Sequence, residues 1–206
     1  MKGTIRWTGL ALVLALAVGA CGKNGPTGAD QGLTGAEIDS LALILAEYSV
    51  QAVPSGLRDR APQPGIHLLA DTTTTSTVSD SLSCPNGGYA TMDGSYTRTD
   101  ADSVVTVDGD LTETPVGCVV PVASSTLTLD GAPALQLTSH LVRVNASVDT
   151  LTFGLTGSFS WQRASGGEGT CDIDLSSDAD VATYQLSVNG TLCGRTISMQ
   201  AYLLGG

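Results

Sequence analysis

The pattern of apolar and polar positions divides the chain into stretches of different period. Residues 10–18 are an unbroken apolar run. Over residues 34–53, Ile38, Leu41, Ile44, Leu45 and Tyr48 recur at the spacing of one helical face, widened by Leu43. This predicts an amphipathic helix. Thr34 followed three positions later by Glu37 is a capping-box pattern, and Pro54 and Gly56 mark the end. Glu37, Asp39 and Glu47 are expected largely off the apolar stripe. From Leu82 to Leu204 the period changes to two, punctuated by turn residues. The alternation predicts strands over 87–98, 104–114, 126–129, 134–144, 150–161, 169–175, 182–188 and 196–203. The breaks fall at 100–102, 130–131, 145–149, 165–167 and 177–180. Short links between successive strands favour an antiparallel meander. The expected fold is therefore mainly β: a curled sheet, half-barrel or sandwich, with one N-terminal helix packed on it. Residues 54–81, with Pro62, Pro64 and the DTTTTST run at 71–77, read as a connection carrying one short strand near 66–69.

The apolar run at 10–18 follows Lys2 and Arg6 and ends in Gly19, Ala20 and Cys21. A charged head, a short apolar stretch and small residues before a cut site make a secretory signal. The run is too short to span a bilayer, which takes roughly 20 apolar residues. Val18-Gly19-Ala20-Cys21 resembles the lipobox of bacterial lipoproteins. The resemblance implies cleavage of residues 1–20 and acylation of Cys21, so that acyl chains hold the protein to a membrane. Gly22 rather than Asp after the cysteine implies, by similarity to enterobacterial sorting, the outer membrane. Residues 21–33, rich in Gly, are expected to be a lipidated flexible tether ahead of a single domain over 34–206.

Setting Cys21 aside leaves Cys84, Cys118, Cys171 and Cys193, an even set. Four cysteines allow three connectivities. In an antiparallel hairpin, facing residues have numbers whose mean lies at the turn. Cys84 and Cys118 centre on 101, and Cys171 and Cys193 centre on 182, both close to expected turns. This favours Cys84–Cys118 and Cys171–Cys193 as hairpin staples, with Gly109 a natural place for a bulge in the first hairpin.

Nine basic residues face twenty acidic ones, for a formal charge of −11, and loss of Lys2 and Arg6 with the signal carries this to −13. Such a chain repels phosphates, which excludes nucleic acid as a partner class, and it repels anionic headgroups, so the acyl anchor rather than the protein surface must hold the membrane. A transmembrane β-barrel would also suit strands of alternating residues, but the aromatic girdles are missing.

Catalytic groups are few. His67 and His140 are the only histidines, and no nucleophile elbow, zinc-protease motif, Walker loop or dinucleotide fingerprint is present. Asp172, Asp174, Asp178 and Asp180 offer hard oxygen ligands suited to calcium, but without the spacing of an EF-hand; alternate acids on a strand also describe a solvated face. Asp108-Gly109-Asp110 is a weaker candidate of the same kind. Asn145 and Asn189 match the glycosylation acceptor, and Trp161, Tyr89, Tyr96 and Tyr184 are candidates for a ligand-lining aromatic face.

Cys84-Pro85-Asn86-Gly87-Gly88, Cys118, Leu129-Asp130-Gly131, Leu155-Thr156-Gly157, Cys171 and Leu192-Cys193-Gly194 together resemble a loose group of secreted or lipid-anchored bacterial proteins built as β-meanders with paired cysteines. That group carries no activity to transfer. Three functions follow in decreasing order: a non-catalytic envelope module that binds or supports a partner, a carrier of a lipid or other apolar molecule, and a hydrolase using His67 or His140. No cofactor is expected.

Overall fold

The computed structural model describes residues 32–52 and 72–202, apart from 124, 132–133, 146, 181–182 and 184. The expected signal, Cys21, residues 21–31 of the expected tether, His67, Tyr184 and the short strand expected near 66–69 lie outside the described residues.

Helix α1 (Gly35–Ala52) begins where the sequence predicts. Thr34 is its cap: the Glu37 N–H donates to Thr34 Oγ1 at 3.3 Å, and the Thr34 N–H donates back to Glu37 Oε2 at 2.8 Å. Two of the helix's orphan donors are thereby satisfied. Its buried stripe is Ile38, Leu41, Ala42, Leu45, Ala46, Ser49 and Ala52, joined by Glu37. The small residues on this stripe let the helix backbone approach the sheet closely. Ile44 and Tyr48 flank the stripe, half-buried against the core.

The sheet contains β1 (Thr72–Ser83), β2 (Tyr89–Ala101), β3 (Val104–Val116), β4 (Cys118–Val122), β5 (Ser125–Gly131), β6 (Leu135–Val144), β7 (Ser147–Arg163), β8 (Glu168–Asp180), β9 (Gln185–Leu192) and β10 (Arg195–Tyr202). Every pairing is antiparallel, and the principal order is β1-β2-β3-β6-β7-β8-β9-β10. β4 pairs β5, and β5 pairs the far end of β7. This is a meander in which β3 and β4 are two halves of one bent strand. β5 and β6 run beside them in the same relation.

Gly117 makes the bend between β3 and β4. Its φ of 54° is a left-handed conformation that suits glycine, and beyond it the chain pairs out of register with the turn that precedes β2. Before the bend Tyr89 faces Val116; beyond it the Val119 N–H donates to the Gly87 carbonyl at 2.8 Å. The Gly117 N–H, displaced from the ladder, donates to Asp130 Oδ1 at 2.7 Å. The bulge expected at Gly109 is therefore at Gly117. Gly109 stays in regular register with Tyr96 and Ser139. It is glycine for a different reason: a Cβ there would run into the Tyr96 ring and the Ser139 hydroxyl.

One face of the sheet is the core. Val105, Val107 and Leu111 on β3, Leu135, Leu137 and Leu141 on β6, Leu151, Phe153, Leu155, Phe159 and Trp161 on β7, and Ile173 and Leu175 on β8 all point inward. Adjacent helix residues show how strongly the sheet curls. Asp39 is held by Arg195 on β10, while the Ser40 hydroxyl accepts from the Ala123 N–H at the β4–β5 turn. In a flat sheet those places would lie roughly 20 Å apart, at about 4.8 Å per strand. The sheet therefore wraps α1 in its concavity and remains open at both edges.

The expected strand bounds also need correction. Residues 72–77 of the DTTTTST run are not a connection but the first half of β1. Residues 118–122 form β4. The supposed break at 177–180 is strand, since Ser177 and Ala179 continue the inward row of β8.

Candidate functional site

Both disulfides form as the spacing predicted, with Cα–Cα distances of 5.4 Å for Cys84–Cys118 and 4.5 Å for Cys171–Cys193. Their placement differs in detail. Cys84 is the first residue of the β1–β2 turn and ties that turn to β4 just past the Gly117 bend. Cys193 sits with Gly194 in the two-residue β9–β10 turn, both at positive φ, and its N–H donates to the Asp172 carbonyl at 2.9 Å. Each staple thus fixes a turn onto a neighbouring strand. Closing loops of 34 and 22 residues stabilises the fold by about 3–4 kcal/mol each in the chain-entropy model.

The helix meets the sheet through a buried ion pair. Glu37 was expected off the apolar stripe, yet it is 5% exposed. Arg163, at the end of β7, donates from Nε to Glu37 Oε1 at 3.0 Å and from Nη2 to Oε2 at 2.9 Å. The Ser125 hydroxyl donates to Oε1 at 2.6 Å and the Thr34 hydroxyl to Oε2 at 2.9 Å. Arg163 also reaches the Gly32 carbonyl and lies 5.5 Å from the centre of the Trp161 ring. Burial alone would raise the carboxyl's pKa. The hydrogen bonds from Arg163, Ser125 and Thr34 outweigh burial and hold it at about 2. A carboxylate so fully occupied is a structural anchor and has no lone pair to offer a substrate.

Glu113 is the contrasting case. It points into the core from β3, between its cross-strand neighbours Met92 and Leu135, and is 5% exposed. It makes no hydrogen bond to a described residue. Burial pushes its pKa up to about 7. Tyr48 of α1 is near enough that burial and then the charge of Glu113 raise its phenol to about 12, while the phenol donates to the Ser83 carbonyl at 3.1 Å. Among the described residues, Glu113 is the buried carboxyl that burial brings close to neutrality. Sequence reasoning missed it, although it shares the parity of Val105, Val107 and Leu111.

The remaining candidates scatter. His140 Nδ1 lies 2.7 Å from Asp108 Oδ1 on the outer face, both well exposed, and no hydroxyl of a described residue bonds the ring. Asp110 is exposed on the same face as Asp108. Asp172, Asp174, Asp178 and Asp180 line one exposed edge of the β8 pleat, and no three His, Cys, Asp or Glu side chains converge on a metal position among the described residues. Asn145 occupies the β6–β7 turn at φ 50°, and Asn189 lies within β9, accepting from the Ser198 hydroxyl at 3.1 Å. The aromatic candidates among the described residues do not assemble. Trp161 is buried, Tyr96 is buried with its hydroxyl donating to the Ala52 carbonyl at 2.9 Å, and Tyr89 is exposed on the opposite face. Tyr89 and Val116 face each other across β2 and β3 and are, with Tyr202, the exposed large apolar side chains among the described residues.

Compared with protein-family models, curated proteins and solved structures, the chain matches none. No described helix is long and apolar enough to cross a membrane.

Proposed function

We propose that this chain is a non-catalytic lipoprotein of the bacterial cell envelope, anchored through acyl chains on Cys21 and presenting its curled sheet as a binding or supporting module. The cysteine accounting carries this reading. Four of the five cysteines pair with each other, which leaves Cys21 with no cysteine to pair with. It stands where the apolar run and small residues end, the position at which lipidation consumes a thiol. Two stapled turns also suit a protein that matures in an oxidising compartment.

The interior favours a module over a carrier. The concavity a lipid would occupy is filled by α1, whose Leu41, Ala42, Leu45 and Ala46 are buried against the sheet. The hydrolase reading has the Asp108–His140 pair on an open convex face, with no hydroxyl of a described residue bound to it. Tyr89 and Val116, beside the Cys84–Cys118 staple, are the apolar contact such a module would offer a protein partner.

Mass spectrometry of the protein extracted from bacterial membranes, with and without reduction, tests the proposal. It expects an N-terminal peptide beginning at acylated Cys21. An unmodified N-terminus, or an intact signal in the soluble fraction, would sink it.

A further inference from the structure

We propose that β1 is a dimerisation edge, pairing antiparallel with β1 of a second copy of this chain. β1 is bound on one side by β2 and on the other by no described residue. Its residues are exposed on both faces, apart from half-buried Val78 and Leu82. An unpaired edge presents a row of free backbone donors and acceptors, and proteins that stay monomeric blunt such edges with lysine, proline, bulges or short strands. β1 has none of these. It runs from Thr72 to Ser83 in unbroken register with β2, and Asp80 is its single charge.

The sequence of β1 says which strand fits. Its odd-numbered residues are Thr73, Thr75, Thr77, Ser79, Ser81 and Ser83, a hydroxyl at each position. A second copy related by a two-fold axis normal to the sheet must place odd residues opposite odd ones, because the outer faces coincide. Every such register therefore sets Thr or Ser against Thr or Ser. The β1–β2 side already displays this contact: Thr73 bonds Thr99 at 3.3 Å and Thr75 bonds Thr97 at 3.4 Å, hydroxyl to hydroxyl. Registers centred on Thr77 or Val78 overlap nearly the whole strand and keep the two Asp80 carboxylates from facing each other. An isologous edge of this kind closes after two copies. The other edge, β10, is shaped differently: Arg195 is engaged with Asp39 and Ile197 is buried in the core.

The test is sedimentation equilibrium of the full chain in detergent over a range of protein concentrations, beside two variants. The wild type is expected to be a dimer. Thr75→Lys/Thr77→Lys, which adds repelling charges to β1, should weaken dimerisation by about tenfold or more while leaving the circular dichroism spectrum unchanged. Ser198→Lys/Gln200→Lys on β10 should leave the dimer intact. A monomeric wild type would overturn the proposal. So would a dimer that survives the β1 lysines, or one dissociated by the β10 lysines instead.

Discussion

Glu37 and Arg163 stand 126 residues apart in the chain and meet through two parallel hydrogen bonds, locking the first turn of the helix to the end of the longest strand. The pair is also where the Ser125 hydroxyl of β5 converges, so three separated segments depend on one carboxylate.

Breaking this pair from one side should be costly, because it strands the other charge in a dry site. Arg163→Met is expected to destabilise the protein by about 3–5 kcal/mol. Arg163→Met combined with Glu37→Leu should cost far less than the sum of the two single changes. Urea unfolding of the four proteins in a double-mutant cycle checks this; additive losses would show that the two side chains are not coupled.

The same carboxylate sets an acid limit. Its pKa is depressed in the folded state, from an ordinary 4.5 to about 2. Its contribution is therefore fully present above pH 4.5 and is lost as pH falls through 2. At about 1.36 kcal/mol per pKa unit the contribution is about 3 kcal/mol. Thermal unfolding between pH 5 and 2 should show a fall in stability that Glu37→Gln largely flattens.

Glu113 acts at the other end. Its pKa is raised on folding, from 4.5 to about 7, so stability that is full below pH 4.5 is lost as pH rises through 7. Ionising this carboxyl between Met92 and Leu135 costs about 3 kcal/mol on the same scale. Glu113→Gln should match the wild type near pH 4 and exceed it at pH 8 by about 1–3 kcal/mol. Equal stabilities at pH 8 would mean that the ionised carboxylate is relieved by contacts not described above. The combined contribution of Glu37 and Glu113 is therefore greatest near pH 4.5.

These two carboxylates also mark how far the chain can be read without its structure. The strands whose inward rows are apolar, such as Leu135, Leu137 and Leu141 on β6, announce themselves because burial of alternate residues writes a period of two. β1 does not, because an edge strand exposed on both faces has no buried row to write; its Thr and Ser sit at every phase. β4 is too short to show a period and follows a register shift that only Gly117 signals. Asp178, Ala179 and Asp180 look like a turn by composition, but the inward parity of Ser177 and Ala179 extends β8 through them. Glu37 was legible as a cap and illegible as a buried ion, since its partner lies across the fold. Glu113 was legible in principle: it occupies an inward phase of β3, and an acidic residue there signals a buried titratable group. The cysteine pairing was recovered by an approximate symmetry about each hairpin, which tolerated the turn and bulge that displaced it.

The disulfides provide the last expectation, because the two staples bear on different parts of the fold. Cys84–Cys118 holds the β1–β2 turn against β4, at the bend where β2 loses its regular partner. Cys171–Cys193 holds the β9–β10 turn against β8, where the ladder between β8 and β9 is already continuous from Ile173 to Asp180. Replacing either pair by serine should cost about 2–5 kcal/mol. The local consequences should differ. Without Cys84–Cys118, backbone amides at Asn86 and Val119, which bond only across the bend, should exchange with solvent much faster, while those of β8 and β9 stay protected. Without Cys171–Cys193, faster exchange should be confined to Cys193 and the start of β10. Hydrogen exchange on the two serine variants distinguishes the cases, and uniform acceleration in both would show that the staples act only through the unfolded chain.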